Sequence, residues 1–341
     1  MTYEDALYRL ALDNPNIVVM TAENRAAIRN LPPKLGPRFI DVGIAEQTLI
    51  GAAAGLALRG KIPVVHALSA FLTMRAFEFI RTDVGIPGLP VKLVGSVAGF
   101  LSEANGPTHQ ALEDVALMRV IPNMQIYCPS DEADLLDMLP SFVESKHPAY
   151  LRFNASKSVL PSHARFSAGK AEVFVVGIAA NDRDVDTHAH DGGPGHDHDH
   201  DHDHGCDRGH NSSEDGGNEG VISIITYGPL LAEALRAADI LRESHRRTVR
   251  VVHMRTLSPV DTVSIADVAS HSRLIVTLED HFVVGGLYSI VAETLLPMKR
   301  TPRVVPLAMG QSWFKPSLYR AALTHAMFDA ESIARRVAEE L

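Results

Sequence analysis

Phe39-Ile-Asp-Val-Gly-Ile-Ala-Glu-Gln47 decides how this chain is read. Its first five residues form a short apolar run, the pattern of a buried strand. After a brief break the composition turns rich in Ala, Gly and Leu. A helix is expected from Glu46 to Leu58, with Arg59-Gly60 as its stop. Glu46 then stands in the first turn of a helix that follows a strand. The helix dipole favours a carboxylate there, which is by itself a sufficient reason for the acid.

Working outward, strands and helices alternate. Upstream, an amphipathic helix is expected over residues 3–12, then a strand Asn16–Met20 and a polar, Pro-rich loop from Thr21 to Pro37. Downstream come a strand Lys61–His66, a helix Ala70–Val84, a strand Pro90–Gly95 and a Gly/Ser-rich loop. A helix over 110–120, a strand Gln125–Cys128, a helix Asp131–Glu144 capped by Ser130 and a strand Ala149–Phe153 complete the first unit. A second unit starts at Ala171–Val176 and resumes at Val221–Gly228. It continues with a helix 229–243, a strand Thr248–His253, a helix near 260–269, a strand Arg273–Leu278, a helix 286–296 and a strand Arg303–Pro306. Such alternation implies two α/β domains, each built on a parallel sheet covered on both faces. The expected domains are residues 1–160, and 161–180 together with 221–341, with residues 181–220 as an insert.

Composition narrows the function classes. With 341 residues and 46% hydrophobic content the chain can bury a substantial core. No apolar run is long enough to span a bilayer, and the expected location is soluble and cytoplasmic. Two cysteines, Cys128 and Cys206, fit neither a metal nor a disulfide framework. The formal charge of −9 is concentrated in residues 181–220, which hold 12 acids and 2 bases, so the remainder is near +1. No basic stripe points to nucleic acid. The insert includes His196-Asp-His-Asp-His-Asp-His-Asp-His204 and 8 of the 17 histidines. It reads as a disordered, solvated loop that could hold zinc or nickel loosely, with no catalytic role.

A second stretch, Gly106-Pro-Thr-His-Gln-Ala-Leu-Glu-Asp-Val-Ala-Leu-Met-Arg-Val-Ile-Pro-Asn-Met124, follows about sixty residues after Glu46. Together GIAEQ and GPTHQxxEDxxxxRxIPNM resemble the pyrimidine-binding domain of transketolases, and nearly as well that of deoxyxylulose-phosphate synthases. Thr277-Leu-Glu-Asp-His281 and Gly285-Gly286 resemble the family's C-terminal domain. The likeness covers nearly the whole chain apart from the insert. It implies thiamine diphosphate as cofactor and two-carbon ketol transfer from a ketose donor to an aldehyde-type acceptor.

The resemblance also assigns roles residue by residue. Glu46 would be the acid that hydrogen-bonds the pyrimidine N1′ and promotes the imino tautomer of the cofactor's 4′-amino group. It must hold or share a proton for this, and apolar surroundings penalise the charged form. Phe71 aligns with the aromatic that stacks on the aminopyrimidine. Arg75 matches an arginine that faces substrate phosphate in the synthases. Glu23 sits where relatives place an acid near the thiazolium. His109 would contact donor oxygens and shuttle protons. His66, at a strand end, points to the edge where α/β sheets bind ligands.

Two departures bear on substrate. Asn105 stands where most transketolases carry aspartate, exchanging a charge for a mixed donor and acceptor. Asn154 stands where relatives carry an arginine for the acceptor's phosphate, which removes a charge-assisted contact. Arg152 lies on the same strand face but nearer the interior. Together they imply an atypical, unphosphorylated acceptor. The family's Gly-Asp-Gly magnesium and diphosphate segment is absent from the sequence. The resemblance therefore implies the C-terminal subunit of a split transketolase. An N-terminal partner would supply the diphosphate-binding domain and the Mg2+ ligands, in a hetero-oligomer with two copies of each. Competing readings are the β-type subunit of a thiamine-dependent 2-oxoacid dehydrogenase, a synthase-like carboligase of pyruvate, and a non-catalytic regulatory subunit.

Overall fold

The computed structural model describes residues 1–177 and 221–341. The His/Asp-rich insert and Cys206 therefore lie outside the described residues. Twelve strands are described: β1 (Ile17–Thr21), β2 (Phe39–Asp41), β3 (Ile62–Leu68), β4 (Lys92–Ser96), β5 (Gln125–Tyr127), β6 (Ala149–Phe153), β7 (Glu172–Val176), β8 (Val221–Thr226), β9 (Val249–His253), β10 (Thr256–Ser258), β11 (Ser272–Phe282) and β12 (Arg303–Met309). They form a seven-stranded sheet, ordered β10-β5-β6-β4-β3-β1-β2, and a five-stranded sheet, ordered β12-β11-β8-β9-β7. Neighbours run parallel except at one edge of each sheet, where β10 opposes β5 and β7 opposes β9. The chain is thus two mostly parallel α/β domains.

The central strands are apolar because both their faces are covered. β1 is buried at every position and β3 at its five middle ones. The strand expected at Phe39–Gly43 is shorter and less buried than its composition suggests. β2 is an edge strand of three half-buried residues. Its Asp41 accepts hydrogen bonds from the backbone N–H groups of Glu23 and Gly43 and from Arg25 Nε, so it ties the neighbouring loops rather than filling a core. The helix that follows spans Glu46–Leu58 as expected, and buries Leu49, Ile50, Ala53, Ala54 and Ala57.

Three local readings need correction. Residues 70–84 do not form one regular helix. Wide π-type turns at Phe71–Arg75 and Ile80–Gly85 flank a short α-helical piece, Phe77–Phe79. Thr73 Oγ1 donates to the Ser69 carbonyl at 2.8 Å, a side-chain bond of the kind that loosens regular helix. The helix expected over 110–120 begins only at Asp114. Ahead of it Ala111 bridges to Ala98, and the Leu112 carbonyl accepts the Phe282 N–H at 2.8 Å. The N-cap of helix Glu132–Glu144 is Asp131, whose side chain takes the Asp134 N–H; Ser130 lies one residue outside.

β10 was invisible in the sequence. It belongs to the second half of the chain but pairs with β5 of the first sheet. One apolar core runs on from the first domain to the second, joining Leu49, Ile50 and Val115 to Tyr227, Met254 and Leu287. Ion pairs also cross between them: Arg152 with Asp280, Arg255 with Asp134, and Arg119 with Glu293. Cys128 is buried and unpaired. No helix among the described residues is long and apolar enough to cross a membrane.

Candidate active site

The turn from β2 into helix Glu46–Leu58 delivers Glu46 to the helix N-terminus, where it is only 2% exposed. Arg75 reaches it from the first π-type turn, with Nη1 2.8 Å from Glu46 Oε2. The same guanidinium lies over the Phe71 ring, 4.2 Å from its centroid. His109 also meets Phe71 edge-on, with ring centroids 5.0 Å apart at 62°. Gln47 Nε2 donates to the Arg75 carbonyl at 3.3 Å, which steadies the turn. Four predicted site residues from distant parts of the chain thus form one group.

Within this group His109 is half-buried, and its Nδ1 is 2.8 Å from Thr108 Oγ1. Nε2 is therefore the nitrogen left for a ligand. Phe71 is positioned by its turn and touches both a cation and an imidazole. The sequence placed Arg75 at the site but did not pair it with Glu46. The arginine gives that acid a charged neighbour in place of purely apolar surroundings.

Other predicted residues are placed differently. His66 does not reach a cleft. Its Nε2 is 2.9 Å from Tyr3 Oη and its Nδ1 3.2 Å from the Met20 carbonyl, so both nitrogens are spent inside the core. Burial pushes its pKa down to about 4, which keeps it neutral. Asn154 is also committed internally. Its Nδ2 donates to the Ser130 carbonyl at 2.6 Å and its Oδ1 accepts the Ser156 N–H at 3.0 Å. Asn105 is exposed, with Nδ2 3.2 Å from the Ser102 carbonyl. Glu23 is exposed at φ 62°, its backbone held by Asp41. Arg152 lies in the interior, with Nε 2.8 Å from Asp114 Oδ2 and Nη1 2.5 Å from Asp280 Oδ1.

Residues 1–159 match the transketolase pyrimidine-binding domain, and residues 217–333 match the transketolase C-terminal domain. The 6-deoxy-6-sulfo-D-fructose transketolase subunit of Clostridium sp. strain MSTE9 is 32% identical over 308 residues, covering 88% of this chain and 82% of that one. This chain belongs to the transketolase family. A solved structure titled "Split gene transketolase, inactive beta4 tetramer" is 31% identical, with a TM-score of 0.74, covering 99% of this chain and 95% of that one. The 1-deoxy-D-xylulose-5-phosphate synthase of Synechococcus sp. strain JA-2-3B'a(2-13) is 32% identical over 340 residues, but the match spans only 46% of its length. Membership of the family implies use of thiamine diphosphate.

The group around Glu46 fits one end of that cofactor. A guanidinium is flat, carries N–H donors and stacks on aromatic faces. Arg75 shows that a planar N–H donor can lie on Phe71 and pair with Glu46 at once. An aminopyrimidine needs the same two contacts. The sequence holds no Gly-Asp-Gly segment, and among the described residues no three His, Cys, Asp or Glu side chains are placed to hold a metal ion.

Asp114, Tyr150 and Asp280 carry no expectation from the sequence, and Arg152 only that of an interior place. Asp114, Tyr150, Arg152 and Asp280 form a buried polar network. The signals were a charged residue inside the apolar strand Ala149–Phe153 and the Glu113-Asp114 pair, but neither names a partner.

Proposed function

We propose that this chain is the C-terminal subunit of a split, thiamine diphosphate-dependent transketolase, moving a two-carbon ketol unit from a ketose to an aldehyde. The observation that carries the reading is the buried Glu46 carboxylate paired with the Arg75 guanidinium that lies over Phe71. Thiamine diphosphate, when bound, supplies the electron sink for breaking and making the carbon–carbon bond. Glu46 holds the proton at the pyrimidine ring nitrogen, where the helix N-terminus and burial define its position. Phe71 fixes the plane of that ring. His109, through Nε2, hydrogen-bonds substrate oxygens and moves a proton there. Arg75 must swing off Phe71 to admit the ring, and is then available to an anionic substrate group.

An N-terminal subunit would supply the diphosphate and Mg2+ ligands, in an assembly with two copies of each chain. The split-gene and subunit names of the relatives support a separate N-terminal subunit, and the two copies of each chain are part of the proposal. The acceptor is proposed to be unphosphorylated. Asn154, where the resemblance implies a phosphate-binding arginine, is bound to backbone, and Arg152 is enclosed by two aspartates. The test is to co-express the chain with its N-terminal subunit and assay thiamine-dependent transfer over phosphorylated and unphosphorylated aldehydes. Preferred turnover of the unphosphorylated set is expected. Efficient transfer to aldehyde phosphates would refute the acceptor assignment, and turnover of pyruvate alone would favour synthase-type carboligation.

A further inference from the structure

The Glu279-Asp280-His281 segment of β11 lies in the second domain, yet its contacts lead into the candidate site. Asp280 is buried at the junction of the domains. Its Oδ1 meets Arg152 Nη1 at 2.5 Å, and its carbonyl accepts from Arg152 Nη2 at 3.3 Å. Arg152 passes the contact on in two directions. Its Nη2 also reaches the Ala111 carbonyl at 3.4 Å, and its Nε donates to Asp114 Oδ2 at 2.8 Å. These two residues flank the end of the loop that carries His109.

Asp114 extends the chain of bonds. Its Oδ2 accepts from Tyr150 Oη at 2.7 Å, and Tyr150 Oη is bonded to Ser69 Oγ. Ser69 is two residues before Phe71, and its carbonyl takes the Thr73 hydroxyl of the π-type turn. One buried path therefore joins the second domain to the segments bearing both His109 and Phe71.

Neighbouring backbone supports the same link. The Phe282 N–H donates to the Leu112 carbonyl at 2.8 Å, and the Ala116 N–H to His281 Nε2 at 3.3 Å. Gly99, at φ +57°, opens the loop against Asp280; a Cβ there would sit 1.8 Å from Asp280 Oδ2. The left-handed conformation and the absent side chain let the backbone close on this carboxylate.

We propose that Asp280 is a positioning residue for the candidate site: through Arg152 and Asp114 the second domain holds the 99–113 loop, with His109, and the Ser69–Arg75 turn, with Phe71, in register. This rests on the functional reading of those two residues, but the device can be tested without cofactor. Charge-assisted bonds between buried groups hold a segment shut against local opening.

The experiment is amide hydrogen exchange on the full chain, comparing wild type with Asp280→Asn. Asparagine keeps the size and one acceptor but loses the charge. Exchange in peptides covering 99–113 and 69–77 should rise by about tenfold or more, while β1, β3 and β8 keep their protection. Unchanged exchange in the two segments, or a uniform rise across both domains, would overturn the proposal. Arg152→Lys is read in the same way, since it keeps a cation but loses the fork. A third measurement needs no variant. In wild type with increasing urea, the 99–113 loop should lose protection in the same step as residues 280–286. Opening of the loop at lower urea would also overturn it. None of these outcomes depends on whether Glu46 binds a pyrimidine.

Discussion

Replacing His66 by Gln isolates what a neutral core histidine does to acid stability. The imidazole is 1% exposed and bonded at both nitrogens, to Tyr3 Oη and the Met20 carbonyl. Burial lowers its pKa from 6.5 to about 4. The unfolded chain then binds more protons than the folded chain between these values. Stability from the neutral imidazole is thus fully present above 6.5 and is lost as pH falls toward about 4. At 1.36 kcal/mol per pH unit, acidification from pH 7.5 to 5 should cost about 2 kcal/mol through this group alone. Glutamine retains a donor and an acceptor but does not titrate. Urea unfolding followed by circular dichroism at several pH values should show the wild type losing about 2 kcal/mol more than His66→Gln over that range. Parallel pH profiles would refute the reasoning.

Two further outcomes follow from other contacts. Buried His163 sits between Asp131 Oδ2, at 3.1 Å, and Glu172 Oε2, at 2.9 Å. Burial works against its charge, but the two carboxylates lift its pKa to about 10. Its stabilising charge is therefore complete below pH 6.5 and lost as pH rises through about 10. His163→Gln should cost about 3–5 kcal/mol at pH 7 by leaving buried acids without a cation, and should flatten the alkaline limb of a denaturation profile. Arg75 competes for the proposed ring site with a half-exposed ion pair and a cation–π contact, together about 1–2 kcal/mol. Arg75→Met should tighten thiamine diphosphate binding by the assembled enzyme roughly 5–30-fold by calorimetry; unchanged affinity would mean no competition.

Sequence made the architecture legible where one local rule governs. Helix Glu46–Leu58 has matching start and stop signals, and the central strands are plain apolar runs. It was less legible where distant residues decide. Nothing near His66 announces that Tyr3, 63 positions away, will take its Nε2. Alternation along the strand set the face of Arg152, and its expected place nearer the interior agrees with its burial, but nothing local named its partners. Its acids come from 38 and 128 positions away. The regular helix expected at 70–84 gives way to wide turns, from which Arg75 reaches Glu46 and lies over Phe71. Glu46, Phe71, Arg75 and His109 were each named from motifs, while their mutual geometry came only with the fold.

The most direct measurement on the central claim is thiamine diphosphate-dependent turnover of Glu46→Gln assembled with the N-terminal subunit. Glutamine preserves size and can still hydrogen-bond, but it cannot hold and return a proton. The account predicts a loss of at least about 100-fold in kcat, with the variant as well folded as wild type. A wild-type rate would contradict it.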